Sequence, residues 1–184
     1  MKNAIVFLAD GFEEVEAIAT IDLLRRAELE VKTAAVGIGT IVNGSHGMQI
    51  IADMPADKVD LSKVEMVVLP GGMPGTLNLE KSPYVQKAVA HCAEEGKYLA
   101  AICAAPSILG HKGLLKGKRA TCFPGFEQEL FGAEVTKNSV EVDDKIITAK
   151  GMGVTIDFAL QLVELLEGPQ VAQKLRLSIQ FPRP

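Results

Sequence analysis

The sequence predicts a doubly wound α/β fold, a mostly parallel sheet with helices on both faces. Three features point to it. Short continuous apolar runs such as Ala4–Ala9 and Met66–Leu69 recur along the chain, as strands buried on both faces require. Stretches with helical apolar spacing lie between those runs, so strands and helices alternate and right-handed crossovers follow. The 184 residues are 48% hydrophobic and 5% aromatic, with no Trp, a profile that fills a core without disulfides or metals. One domain spanning residues 1–184 is therefore expected.

Taken in order, AIVFLA (Ala4–Ala9) is the first buried strand, broken by Asp10-Gly11. Glu13–Ala27 carries apolar residues at helical spacing, with Glu13 and Glu14 at the positive end of the helix dipole. Val31–Val36 is a second strand. Ile41–Ala52 reads as a hairpin turning at Asn43-Gly44, a dipeptide suited to tight turns. Met66–Leu69 is a buried strand ending in Pro70-Gly71-Gly72. Pro83–Glu95 is a helix with Pro in its first turn, and Tyr98–Ile102 is the strand that runs into Cys103. Short strands are expected at Arg119–Cys122, Val140–Val142 and Ile146–Ala149. Helices are expected at Thr155–Leu166 and Pro169–Leu175.

The net charge of −4 offers no basic surface to neutralise phosphates, which argues against nucleic-acid partners. No apolar run approaches the roughly 20 residues of a membrane span. The apolar start of the chain is short and is followed by acidic residues rather than a small-residue cleavage site, so a buried strand is favoured over a signal peptide. The three cysteines, Cys92, Cys103 and Cys122, are too few for a disulfide framework and match no metal spacing. A reducing, cytoplasmic setting is expected, with no metal and no cofactor.

Ligand sites of doubly wound sheets lie beyond the carboxyl ends of the strands. Three unusual segments fall at such ends: Asp10–Glu16, Pro70–Gly75 and Cys103–Pro106. They are expected to meet in one crevice. Cys103 stands where a strand turns into a helix expected over Ala104–Leu109, whose positive end favours thiolate over thiol. Ala104 and Ala105 are small enough for the sharp turn of a nucleophile elbow. An inert core cysteine fits the same position.

Glu16 has Phe12, Ala19, Thr20 and Leu23 as its helical neighbours, a mostly apolar stripe. A carboxyl buried there has a raised pKa and holds a proton near neutrality, ready for acid–base work. Alternatively, Glu16 begins the polar flank of the helix, as Glu13 and Glu14 are expected to do. Asp22 is expected to pair with Arg25 or Arg26. Gly71 and Gly72 allow close backbone approach, so the amides of Gly72 and Ala104 would form an oxyanion hole; a plain tight turn uses the same glycines. No Gly-Lys-Ser/Thr follows, so this is no phosphate loop. Gly151-Met152-Gly153 is a further loop for closing the crevice.

Asp-Gly-x-Glu-Glu-x-Glu after the first strand, then Leu-Pro-Gly-Gly, then Ala-Ala-Ile-Cys-Ala-x-Pro, in that order, resembles the ThiJ/PfpI superfamily and within it the DJ-one clade. The likeness runs from Met1 to about Glu167. It implies a flavodoxin-like sandwich of the class I glutamine amidotransferase type, a homodimer, and a reactive cysteine at a nucleophile elbow. Carried over by position, Cys103 is the nucleophile, Glu16 the partner carboxyl, and Gly72 and Ala104 the backbone donors. The implied activities are glyoxalase without glutathione, deglycation of early methylglyoxal adducts, and redox-sensing or chaperone roles.

Two departures from the resemblance matter. The protease-like branch has His directly after its cysteine, where this chain has Ala104. Many relatives also carry a nearby His after the Thr121 strand, where this chain reads Thr121-Cys122-Phe123-Pro124 and so sets Phe123 at the edge of the site. His111 lies eight residues from Cys103, roughly 12 Å along a helix, too far to reach the sulfur. His91 reads as a helix-surface residue, leaving His46 of the hairpin as the expected substitute, within the chain or across a dimer interface.

The function expected from these residues is a cofactor-free enzyme acting on small α-oxoaldehydes or glycated protein. Cys103 would be its nucleophile and Glu16 its proton shuttle, with Gly71, His46, Phe123, Gly151 and Gly153 lining the site. The alternative is an oxidative-stress sensor or chaperone working through Cys103. A cysteine peptidase ranks third because the adjacent His is missing, and a flavin or nucleotide binder fourth.

Overall fold

The computed structural model describes residues 2–182. Its elements are β1 (Asn3–Ala9), α1 (Glu14–Arg26), β2 (Glu30–Val36), β3 (Ile41–Asn43), β4 (Gln49–Ile51), β5 (Met54–Pro55), β6 (Met66–Leu69), α2 (Gly75–Lys81), α3 (Pro83–Glu94), β7 (Tyr98–Ile102), α4 (Pro106–His111), β8 (Arg119–Ala120), β9 (Glu134–Val135), β10 (Val140–Asp143), β11 (Ile146–Ala149), α5 (Thr155–Glu167) and α6 (Pro169–Ser178). Seven strands form the main sheet in the order β10-β11-β7-β6-β1-β2-β5, parallel throughout except at β10–β11. The predicted doubly wound fold is the observed one.

The apolar run of β1 shows why. Alternate side chains of a strand face opposite sides of its sheet. Ala4, Val6 and Leu8 join one core with Leu24 of α1 and Phe158 and Leu162 of α5. Ile5, Phe7 and Ala9 join a second with Val89 and Cys92 of α3 and Ile108 and Leu109 of α4. Each fully buried Leu or Phe contributes roughly 1.5–3 kcal/mol relative to exposure, so no one-sided register of this strand competes. Helix α1 starts where the Glu13 side chain accepts the Glu16 backbone N–H at 2.7 Å. It ends with Arg25 and Arg26 against the negative end of its dipole. Asp22 pairs with Arg26 at 2.6 Å, while Arg25 reaches Asp53 at 2.7 Å.

Several boundaries differ from the sequence reading. The hairpin of β3 and β4 turns through Gly44–Met48 rather than at Asn43-Gly44. Asn43 is held as the last strand residue by Asp10, which accepts from its backbone N–H at 2.8 Å. The strand at Arg119 stops at Ala120 because the Thr121 N–H donates to the Thr148 hydroxyl (2.9 Å) instead of continuing a ladder. The helix after Cys103 begins at Pro106, two residues later than predicted, since Ala104 and Ala105 are used by the turn. No helix among the described residues is long and apolar enough to cross a membrane.

His111, at the end of α4, does not approach the cysteine. Its ring lies between Glu80 of α2 (2.5 Å) and Glu129 (2.8 Å) and against Phe131. Burial opposes its charge, but the two carboxylates outweigh it and raise its pKa above the usual 6.5. A raised pKa gives stability that is complete below the unfolded value and is lost as pH rises through the folded one. His111→Gln is therefore expected to cost about 1 kcal/mol at pH 6 in urea denaturation, allowing for partial exposure, and less at pH 9.

Candidate functional site

The sheet reverses its winding between β1 and β6, and the carboxyl ends of β1, β6, β7 and β11 converge there. Backbone hydrogen bonds tie the following loops together. The Glu13 N–H donates to Gly71 O at 2.9 Å, the Gly75 N–H to Gly11 O at 3.2 Å, and the Cys103 N–H to Ala149 O at 2.9 Å. The segments Asp10–Glu16, Pro70–Gly75 and Cys103–Pro106 thus lie together, with Gly151 beside them.

Cys103 has a φ of +65°, a left-handed conformation that costs a non-glycine residue of the order of 1 kcal/mol. Its surroundings impose it. Besides the Cys103 N–H bond to β11, Cys103 O accepts from the Phe123 N–H at 2.8 Å, and Ala104 O is taken by the Ser107 hydroxyl at 2.7 Å. Ala104 and Ala105 are buried, whereas Cys103 itself stays partly exposed. Its sulfur is approached by the backbone amides of Ala104 and Gly72.

Glu16 is 1% exposed. Its Oε2 accepts the Gly71 N–H at 2.9 Å, while the buried Oε1 has no close hydrogen-bond partner among the described residues. Burial raises its pKa to about 7, against the opposing pull of the neighbouring Cys103 thiol and the Gly71 amide. The carboxyl predicted to hold a proton near neutrality thus titrates there, rather than sitting on a polar flank. Cys103 departs from its prediction. Burial and the facing Glu16 push it up to about 12, and the amides of Ala104 and Gly72 only partly counter them. A helix of six residues, starting three residues away, does not offset the desolvation of a sulfur beside a carboxyl. Burial thus favours the neutral form of both groups, a thiol beside a carboxyl whose proton is held toward neutrality.

The two glycines are required by space. A Cβ on Gly71 would stand 2.6 Å from Cys103 Cβ and 2.7 Å from Glu16 Oε2; one on Gly72, where φ is +92°, would stand 2.4 Å from the Glu13 nitrogen. Gly71 is thus the spacer between thiol and carboxyl, and Gly72 is locked against the start of α1. On the opposite side, a Cβ on Gly151 would meet Phe123 Cδ2 at 3.1 Å and Glu16 Oε1 at 3.8 Å, so Phe123 and Gly151 both border the site. Gly153 has open space beside its Cα, with nothing within 4 Å of where a Cβ would stand. Sequence reasoning missed Met152, whose backbone N–H favours the charged form of Glu16; a loop amide carries no side-chain signal.

Within the chain, His46 has its own partner. It is brought to Glu14, not to Cys103. Glu14 is buried rather than on a polar flank. It accepts the His46 backbone N–H at 2.6 Å and the Ser45 hydroxyl at 3.1 Å, and contacts His46 Nδ1 at 2.9 Å. Burial opposes its ionisation, but these bonds prevail and hold its pKa at about 2, while His46 is raised in turn by Glu14. Among the described residues, Glu13, Glu14 and His46 have ligand atoms within 4.8 Å of one another, the spacing a metal ion would need. The Glu14 oxygens are already satisfied by the hairpin, so the group works as a structural tie.

Residues 2–165 match the DJ-1/PfpI family. The chain is 38% identical over 173 residues to Protein DJ-1 homolog B of Arabidopsis thaliana, covering 93% of this chain but 40% of that one. It thus spans less than half the length of that relative. It is 31% identical over 177 residues to the Glutathione-independent glyoxalase DJR-1.2 of Caenorhabditis elegans, covering 95% of this chain and 94% of that one. The crystal structure of a cysteine-to-alanine mutant of a DJ-1 superfamily protein from Salmonella typhimurium superimposes with a TM-score of 0.95 at 35% identity, over 100% of both chains. With its strand-end cysteine, its buried carboxyl and its paired glycines in the family's order, the chain belongs to the DJ-1/PfpI family.

Proposed function

We propose that the chain is a cofactor-free cysteine enzyme acting on α-oxoaldehydes such as methylglyoxal, or on their early adducts on proteins, as a glutathione-independent glyoxalase or protein deglycase. One observation carries this reading: a partly exposed thiol faced by two backbone amides lies beside a buried carboxyl that titrates near neutrality. The name of the Caenorhabditis elegans relative supports the same reaction class.

The sulfur of Cys103 adds to the aldehyde carbon as the Glu16 carboxylate takes the thiol proton. The new alkoxide, held by the Gly72 and Ala104 amides, receives that proton, and a neutral hemithioacetal results. Glu16 then removes the hydrogen of the former aldehyde carbon. The electron pair shifts through an enediol, and a proton returns to the neighbouring carbon. The former aldehyde carbon is now a thioester and the former ketone an alcohol. Water cleaves the thioester, releasing a 2-hydroxy acid and the thiol. One carbon is oxidised and its neighbour reduced, so no external electron carrier is needed. Ala104, standing where a peptidase of this family would have its His, leaves peptide hydrolysis without its base.

Self-association belongs to the same reading. Val15 and Ile18 on α1 and Ile41, Met48 and Ile51 on the hairpin are exposed, and Glu14 ties these two elements together. Redox sensing is the second reading, favoured by one fact: Cys103 reaches the surface while Cys92 and Cys122 are buried.

Lactate formation from methylglyoxal without glutathione tests the enzyme. Wild type should turn over many times, and Cys103→Ser and Glu16→Gln should each lose at least about 100-fold. A halt after one equivalent, with the sulfur modified, would give the sensor first place. The pair titrates as a unit, so alkylation of Cys103 by iodoacetamide should rise through about pH 7, as Glu16 loses the shared proton, then level off. Glu16→Gln should abolish that step. The raised pKa of Glu16 means its stability is greatest below 4.5 and falls as pH rises through about 7. Glu16→Gln should therefore stabilise the protein at pH 8 by about 3 kcal/mol, and by little at pH 5, as read by thermal unfolding.

A further inference from the structure

The mouth of the site is apolar on one side, and that side is built by Phe123. Its backbone N–H donates to Cys103 O at 2.8 Å, which fixes the residue beside the nucleophile. Its ring edge and Glu16 Oε1 border the same glycine, 3.1 Å and 3.8 Å from the point where a Gly151 Cβ would stand. Phe123 is 47% exposed, so the residue is open to solvent. Oε1 is the buried carboxyl oxygen that has no close partner among the described residues. Two further apolar residues next to site glycines in the chain, Met73 after Gly72 and Met152 after Gly151, are exposed as well. A group reacting between Cys103 and Glu16 therefore has its polar atoms met by amides and a carboxyl, while whatever it carries beyond the reacting carbons leaves past an aromatic ring.

Resting on the oxoaldehyde reading, we propose that Phe123 is a specificity-determining residue: it selects the substituent on the ketone carbon and favours aryl or larger alkyl groups over hydrogen. The expected order is phenylglyoxal, then methylglyoxal, then glyoxal. A phenyl group on an exposed aromatic residue removes apolar area from water on both partners, and glyoxal has nothing to offer that surface. Phe123 itself takes no part in proton transfer, so the chemistry of the small substrates does not pass through it.

The test is the ratio of kcat/KM for phenylglyoxal over methylglyoxal in wild type, Phe123→Ala and Phe123→Leu. The ratio cancels general losses of activity. It should fall about tenfold in Phe123→Ala, the scale of one lost apolar contact, and recover in part in Phe123→Leu. An unchanged ratio overturns the proposal and leaves the oxoaldehyde enzyme standing. If wild type turns over none of the three aldehydes, the oxoaldehyde reading fails. The apolar wall is then read from Cys103 alkylation by N-phenylmaleimide relative to N-methylmaleimide. A lower ratio in Phe123→Ala supports the wall, and an equal ratio in all three proteins overturns it.

Discussion

Everything at this site depends on how closely the backbone of Gly71 passes between a thiol and a carboxyl. Hydrogen on that Cα is the only substituent for which there is room, and its own amide donates to Glu16 Oε2. The carboxyl is thereby held in place, in a setting dry enough to raise its pKa to neutrality. A bulkier spacer would separate sulfur from carboxyl. A wetter one would return Glu16 to an ordinary carboxylate, permanently charged at pH 7 and useless as a proton donor.

The loops that deliver these groups are short, and each is fastened to another rather than to solvent. The turn after β1 is bonded to the one after β6, and the cysteine turn is bonded to β11 on one side and to Phe123 on the other. Such cross-ties explain how a residue is kept at a φ its side chain disfavours. The strain at Cys103 is borne by hydrogen bonds that would all have to break for it to relax. Functional sites commonly hold strain of this kind at the expense of stability. Here two such expenses lie side by side, a left-handed cysteine and a buried carboxyl whose hydrogen bonds only partly offset its desolvation.

What the sequence conveyed was set by how strongly each feature constrains its residues. Strands buried on both faces need unbroken apolar runs, and so β1, β6, β7 and β11 were read to within a residue or so. Glu16 was legible because its helical neighbours are apolar, and Gly71-Gly72 because two glycines after a buried strand are conspicuous. Features carried by single hydrogen bonds were not legible. The early end of β8 follows from one Thr148 hydroxyl, and the longer hairpin turn from one Asp10 oxygen. Glu14 was misread for a related reason: its burial is produced by the hairpin folding over it, a contact separated by about thirty residues. The thiol was misread because the position of a helix start says nothing of the desolvation beside it. Three segments distant in sequence could be suspected of meeting, but which amide faces which oxygen was decided by the packing.

Glu14 and Glu16 stand two residues apart in the first turn of α1 and face opposite ways, one under the hairpin and one toward the thiol. The first is held ionised by three hydrogen-bonding groups; the second changes charge around neutrality. A helix end that carries a permanent anion and an adjustable one separates anchoring from chemistry. Acidification of the surroundings from pH 8 to pH 6 alters the charge beside the sulfur while the hairpin stays fastened, so the protein's shape is insulated from the proton traffic of its site.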